Sequence, residues 1–192
     1  MNRSELIKLY ERLYFHELDR RDKISARQAT PLGAMVGLVA IVAFLLNNKP
    51  NFSTQYLAAS FWLLLAAAVI CLVIGGWHFR NSWLAHGERH VATAAEIDNY
   101  FDKLEAHYSD QPNVSDLVDR EFSQFLLDTY RRSATTNAQN NDARSNSLHY
   151  AGTWMTIALC LSLISTIPYY LGKASSYVGQ KTTTSATTSA TP

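Results

Sequence analysis

Cysteine is scarce in this chain, and so is charge. The 192 residues include two cysteines, Cys71 and Cys160, and both lie inside long apolar runs. This placement excludes a disulfide framework, so we interpret both as small packing residues. Only 17% of the residues are Lys, Arg, Asp or Glu. The sequence also has three long apolar runs, and none of these charged residues lies in them.

Familiar catalytic motifs are also missing. The sequence has no glycine-rich phosphate loop, no Cys/His zinc pattern and no nucleophile elbow. In "HGERH", His86 and His90 are four residues apart and would share a helix face suited to a metal. Gly87 weakens a helix there and no third ligand follows, so a polar interfacial turn is the better interpretation. We predict no enzyme activity, no metal and no cofactor.

The three apolar runs cover residues 30–46, 56–77 and 150–171. A helix needs roughly 20 residues to cross the hydrocarbon core of a bilayer. The second and third runs are long enough, whereas the first, with 17 residues, leaves a buried or re-entrant helix as the alternative. We predict an all-α, polytopic membrane protein with three transmembrane helices, the first two forming a hairpin over 30–77.

Lysine and arginine are distributed unevenly around these runs. Seven lie in residues 1–29 and seven in residues 78–149, but only one lies in the connection 47–55. Because positive charge is retained on the cytosolic side, the bias places the amino terminus and residues 78–149 in the cytosol. The connection and the carboxyl-terminal tail then lie outside.

The cytosolic region is predicted to be helical. Residues 1–29 form an amphipathic helix with an Asn2–Glu5 capping box, followed by a bend where Thr30 caps the next helix. In residues 78–149, a helix over about 92–108 and a turn at Pro112 precede a helix that enters the third span without a hinge. The Ser/Thr-rich tail, residues 172–192, is predicted to be disordered.

Small residues in the spans indicate close helix packing. Gly33 and Gly37 form a G-x-x-x-G pattern on the first span, which lets transmembrane backbones approach closely. Two partners remain open at this stage: the second span of the same chain, or another subunit.

A polar stripe runs into the third span. At about 100° per residue, small and polar side chains starting at Asn141 fall within roughly one-third of the helix circumference. The predicted pore-lining members are Ser145, His149, Thr153, Thr156 and Cys160. Polar groups inside lipid need a partner or a water-filled cavity, which copies around an axis would supply. The alternative is that the hydroxyl groups bond to carbonyls of their own helix.

A basic, amide-rich segment precedes this stripe. Arg131, Arg132 and Arg144 suit phosphate oxygens, and the amides of Asn137 and Asn141 suit the edge of adenine. We predict that these five residues bind a nucleotide or oligonucleotide. Contact between the arginines and anionic lipid headgroups remains an equal alternative.

Two stretches resemble a known family. They are "LYERLYFHELDRRDKISARQ", ahead of two close spans, and "QFLLDTYRRSATTNAQNNDARSNSLHYAGTW", ahead of a third. The second contains Asn-x-x-x-Asn-x-x-Arg at Asn137, Asn141 and Arg144. Over about residues 1–171 the layout is similar to SLATT-type small membrane effectors of bacterial anti-phage defence. The third span departs from the commonest, two-span form of that family.

The resemblance implies a location and partners. Such effectors act in the bacterial inner membrane and are encoded with a nucleotide-signal synthase, so the ligand would come from a partner nucleotidyltransferase. They are thought to permeabilise the membrane, which implies a cyclic homo-oligomer, for example a tetramer. We therefore expect a ligand-controlled ion-conducting pore. The alternative is a non-conducting membrane anchor that recruits a cytosolic partner.

Overall fold

The computed structural model describes residues 2–49, 52, 54–84 and 87–188, with side chains described as far as Ala174. The described residues form five helices: α1 Arg3–Arg27, α2 Ala29–Asn47, α3 Gln55–Leu84, α4 Ala94–Tyr108 and α5 Val114–Thr188. The described part of the chain has no strand. Three helical stretches, including α2, α3 and part of α5, are long and apolar enough to cross a membrane. The predicted all-α fold with three spans is thus confirmed.

The start of α2 differs from the prediction. Thr30 is not its cap, because α2 begins at Ala29 and the preceding residue, Gln28, has helical backbone angles (φ −69°, ψ −21°). The Gln28 amide instead donates hydrogen bonds to the carbonyl and hydroxyl oxygens of Ser82. Pro31 is the third residue of α2. The first-turn N–H groups have no partner within a helix, so its missing donor is tolerated there.

The end of α5 also differs from the prediction. Its backbone remains helical to Thr188, through most of the tail that was expected to be disordered. A helix that is already formed gains one hydrogen bond for each further residue that it fixes. The third span therefore supplies the nucleus that a Ser/Thr/Ala-rich segment lacks by itself.

The chain divides into two compact units. The polar unit comprises Met1–Ala26 and Trp83–Asn146. In it, Tyr14 of α1 is buried and packs edge-to-face against Tyr130 of α5, with ring centroids 6.0 Å apart. Burial raises the pKa of Tyr130, as does the nearby carboxylate of Glu11. The polar unit is therefore built by aromatic packing between distant segments of the chain.

Helix α4 begins with a capping box that was not predicted from the sequence. The Thr93 hydroxyl accepts a hydrogen bond from the Glu96 N–H, and the Glu96 carboxylate accepts one from the Thr93 N–H. Hydrogen bonds from Thr93 lower the pKa of this carboxylate. This arrangement satisfies two backbone donors and sets the first residue of α4.

The span unit comprises Arg27–Ser82 and Ser147–Pro192. Its core joins one face of each of the three helices. The buried residues include Leu38, Val42 and Leu45 on α2; Phe61, Leu65, Ala68, Cys71, Gly75 and Phe79 on α3; and Ala151, Met155, Ala158, Ser162, Ser165 and Tyr169 on α5. Many of the α3 and α5 residues are small, which allows close approach in lipid, where packing replaces the hydrophobic effect.

Glycine has a packing role in the span unit, but on the second span and not in the G-x-x-x-G pattern of the first. A Cβ atom built at Gly33 or Gly37 would meet nothing within 4 Å, so these residues do not pack the α2–α3 hairpin. A Cβ at Gly75 would lie 3.3 Å from Met155 Cγ and 3.5 Å from the Ala151 carbonyl. Within one chain, close approach is therefore made by Gly75. The G-x-x-x-G pattern is left on the surface.

This difference predicts opposite outcomes for two leucine substitutions. Gly75→Leu should destabilise the subunit by about 1–3 kcal/mol or more, because the side chain has no space beside Met155. Gly37→Leu should leave the subunit's stability within about 0.5 kcal/mol, because it extends into open space. Thermal unfolding of both variants in the same detergent tests the pair. Equal stability losses would contradict the packing described for Gly75.

Candidate ligand site and polar helix face

Side chains in the amide-rich part of α5 form hydrogen bonds with the backbone of the segment that precedes α4. Residues 87–92 have no regular secondary structure, so their backbone groups need other partners. Asn137 supplies two: its Oδ1 accepts from the Arg89 N–H (3.0 Å), and its Nδ2 donates to the Arg89 carbonyl (3.1 Å). One turn earlier, the Ser133 hydroxyl donates to the His90 carbonyl, and one turn later Asn140 donates to the Gly87 carbonyl.

Asn141 joins α5 to α1 within the same unit. Its amide donates to the backbone carbonyl of Glu17 (2.8 Å) and to the Glu17 carboxylate (3.0 Å). Nearby, Arg20 pairs with Asp142 at 2.6 Å, and this hydrogen bond raises the pKa of the Arg20 guanidinium. Ion pairs of this kind join α1 to the polar face of α5.

Arg21 makes a further connection between α1 and the segment before α4. It pairs with Glu88 and with Asp22, and the hydrogen bond to Asp22 is the main cause of its raised pKa. Arg144 lines the same small space, whose volume of about 10 Å³ holds no more than one water molecule. A nucleotide cannot enter it.

The geometry therefore gives the predicted amide residues a different role. Asn137 and Asn141 are only 4% and 2% exposed, and both amide groups donate to backbone carbonyls. The ligand role predicted for Asn137, Asn141 and Arg144 is not what their positions support. Arg131 pairs with Asp128 at 2.8 Å and remains exposed. Of the five predicted ligand residues, Arg132 is the one that lines a large space.

That space is a groove of about 790 Å³ on the polar unit, which we call the basic groove. Its charged and aromatic lining consists of Arg3, Arg89, His90, Arg120, Arg132, Glu121, Asp128, Tyr100 and Phe125. The side chains come from the first turn of α1, the segment before α4, α4 itself and α5. This volume lies within the range of ordinary small-molecule sites, about 300–1,000 Å³.

Positive charge in the groove is incompletely neutralised. Asp128 accepts hydrogen bonds from Arg131 and Gln124, and Glu121 accepts one from the Tyr108 hydroxyl, which raises the pKa of Tyr108. In the described part of the chain, no ion pair engages Arg89, Arg120 or Arg132. Three guanidinium groups without carboxylates favour an anionic ligand, because planar donors engage two phosphate oxygens at once.

The groove also has an aromatic wall. Tyr100 of α4 stacks on Phe125 of α5 with ring centroids 4.2 Å apart and planes inclined by 29°. Aromatic faces beside basic side chains suit a ligand that carries both a base and a phosphate. Of the groove residues named here, Arg132 alone was predicted from the sequence to bind a ligand. The available signal was the preference for arginine over lysine in residues 78–149, six residues against one.

Asn137 should determine the position of Arg89. Asn137→Ala removes two hydrogen bonds, each worth about 0.5–1.5 kcal/mol, and frees the backbone that carries one groove arginine. We expect a loss of stability of about 1–3 kcal/mol, measured by thermal unfolding, with weaker binding of anions. Gln139→Ala, on the exposed face of the same helix, is the matched control. If Asn137→Ala unfolds at the same temperature and binds anions as the wild type does, water replaces these hydrogen bonds and Asn137 does not determine the position of Arg89.

The predicted pore-lining residues all lie on the surface of the single chain. Ser145, His149, Thr153, Thr156 and Cys160 are exposed, and we call them the polar stripe. The opposite face carries the buried Ala151, Met155 and Ala158. The Thr153 hydroxyl donates to the His149 carbonyl and the Thr156 hydroxyl to the Gly152 carbonyl. Hydrogen bonding within the helix, the alternative left open by the sequence, is thus observed in one chain.

Metal binding gains no support from the geometry. Among the described residues, no three His, Cys, Asp or Glu side chains are grouped to hold a metal ion. The sequence pair His86 and His90 is incomplete here, because His86 lies outside the described residues. The described residues instead form a groove lined by arginines on one unit and an exposed polar face on a membrane-length helix. Comparison of the chain with protein-family models, with curated proteins and with solved structures gives no match.

Proposed function

We propose that copies of this chain assemble around an axis in the bacterial inner membrane and form an ion-conducting pore. The observation that carries this proposal is the exposed polar stripe of α5. Polar side chains on the lipid-facing surface of a span are unfavourable, and a shared water-filled axis would remove that cost. Hydrogen bonding within the helix satisfies the Thr donors, but their oxygens and the His149 imidazole still favour water.

The control of the pore is assigned to the basic groove. A nucleotide or oligonucleotide made by a partner nucleotidyltransferase would place phosphates against Arg89, Arg120 and Arg132 and a base against Tyr100 and Phe125. Such a ligand shifts a conformational equilibrium only by its differential affinity for the two states. The resemblance to SLATT-type effectors supports the same assignment, with the polar unit in the cytosol and the tail outside.

A membrane anchor that conducts nothing is the second candidate. The observation in its favour is that Thr153 and Thr156 already have hydrogen-bond partners in one chain. An anchor would bind a cytosolic protein through the polar unit and would function as a monomer.

Subunit counting separates the two candidates. The protein is purified in lipid nanodiscs, and the mass of the assembly is measured. A closed oligomer of three or more copies is expected, since a central lumen requires an axis. The surface position of Gly33 and Gly37 makes Gly37→Leu the informative variant, because it should lower the subunit number without unfolding the chain. A monomeric wild-type protein would contradict the pore.

A further inference from the structure

The stripe that is polar in the first half of the third span becomes apolar in the second half. Continuing α5 at about 100° per residue, the positions after Cys160 on the same face are 163, 167, 170 and 171. They carry Leu163, Ile167, Tyr170 and Leu171, whose exposed fractions are 55%, 59%, 63% and 54%. We call these four residues the apolar stripe.

The two stripes occupy one continuous helix face. Helix α5 is unbroken from Val114 to Thr188, so the face does not change at Cys160. In a straight α-helix, positions seven residues apart differ in direction by only about 20°. The nine residues from Leu163 to Leu171 therefore extend the same face by about 12 Å. If one stripe faces an axis, so does the other.

We infer that the apolar stripe forms a hydrophobic gate that closes the pore towards the side of the tail. This inference rests on the proposed pore and assigns the position at which the pore is closed. Rings of Leu163 and Ile167 around a narrow axis would exclude water, and ions that need a hydration shell cannot cross a dewetted constriction. The polar stripe would then line a wet vestibule open towards the polar unit.

The backbone near the gate has a feature that permits movement. Pro168 lies inside α5 and has no N–H to donate to the carbonyl one turn earlier. The hydroxyls of Ser165 and Thr166 donate to the carbonyls of Ser162 and Leu163, so this turn is held partly by side chains. A helix can bend at such a site, which places a flexible point within the apolar stripe.

The test uses a matched pair of isoleucines. Ile167 and Ile70 are both 59% exposed, but Ile70 belongs to α3 and lies outside the stripe. The full-length protein is reconstituted in liposomes with defined orientation, with and without a mixed-sequence oligonucleotide. The condition with the lower wild-type flux defines the closed state. In it, Ile167→Ser should raise ion flux by about tenfold or more, because serine removes the apolar ring that excludes water.

A second measurement uses the exposed thiol of Cys160, the last residue of the polar stripe before the apolar stripe begins. In the closed wild type, a membrane-impermeant thiol reagent should label Cys160 from the polar-unit side and not from the tail side. Ile167→Ser, or Leu163→Ser if the first variant does not assemble, should allow labelling from both sides. Ile70→Ser should behave as the wild type.

The possible outcomes separate the gate from the pore. Labelling of closed wild-type protein from the tail side, or no change in the serine variants, would overturn the gate and leave the pore intact. Absence of labelling from either side in every variant would overturn the proposed pore, and the gate with it. A Cys160→Ser variant, which should take up no label, confirms that the signal comes from this thiol.

Discussion

Arg132→Glu should lower the affinity of the protein for a short oligonucleotide by about 100-fold or more. Hydrogen bonds to charged groups contribute about 1.5–3 kcal/mol each, and a guanidinium makes two with one phosphate. The substitution also introduces a carboxylate beside Arg89 and Arg120, which have no carboxylate partner in the described chain. Loss of attraction and gain of repulsion therefore act in the same direction.

The measurement is fluorescence anisotropy of a labelled tetranucleotide of mixed sequence, titrated at several salt concentrations. Wild-type binding should weaken steeply with salt, because phosphate contacts release counterions. The slope of log affinity against log salt should fall by about one for each arginine contact removed. Binding of inorganic triphosphate, which has no base to stack on Tyr100, should be weaker than that of the tetranucleotide.

Two variants control this prediction. Arg12→Glu changes the same charge at an exposed arginine whose guanidinium donates to the Lys8 carbonyl of its own helix, and it should bind nearly as the wild type does. Asp128→Asn should strengthen binding, because it removes a groove carboxylate and releases Arg131. If Arg132→Glu binds as tightly as Arg12→Glu, the groove is not the ligand site.

The transmembrane part of the fold was predictable because it depends on local composition. A helix spans the bilayer if about 20 residues lack charge, so 56–77 and 150–171 could be identified without any tertiary information. The exposed face of α5 was equally predictable from the sequence, because the spacing of Thr153, Thr156 and Cys160 follows the helix period. Helix starts were less predictable. Gln28 keeps helical angles although the next residues, Thr30 and Pro31, are typical of a helix start.

The basic groove could not be derived from the sequence because it depends on tertiary contacts. Arg89 and Arg120 are 31 positions apart in the sequence, and the hydrogen bonds of Asn137 to the backbone of Arg89 help to bring them to one groove. An asparagine that is free to read a base has the same local sequence as one that is buried. The predicted adenine-reading role of Asn137 therefore competed with a structural role that sequence alone does not reveal.

Blocking the polar stripe should have the second large effect. Thr156→Leu replaces an exposed hydroxyl of the proposed lumen with a bulky apolar side chain in every subunit. Ion flux should fall by about tenfold or more, because a repeated apolar ring raises the cost of hydration in a narrow pore. Oligonucleotide binding should be unchanged, since Thr156 is not among the groove residues. Val73→Leu, at an exposed position on α3, is the control and should conduct normally.

Reaction of the native Cys160 with a charged, membrane-impermeant thiol reagent tests the pore most directly. Thiols react as thiolates, which form in water and not in lipid, and the only other cysteine, Cys71, is buried. Reagent added from the polar-unit side of conducting liposomes should label Cys160 and abolish ion flux, whereas Cys160→Ser should be insensitive. Flux that persists while Cys160 stays unlabelled would show that the polar stripe does not face the conducting path and would contradict a pore lined by this stripe.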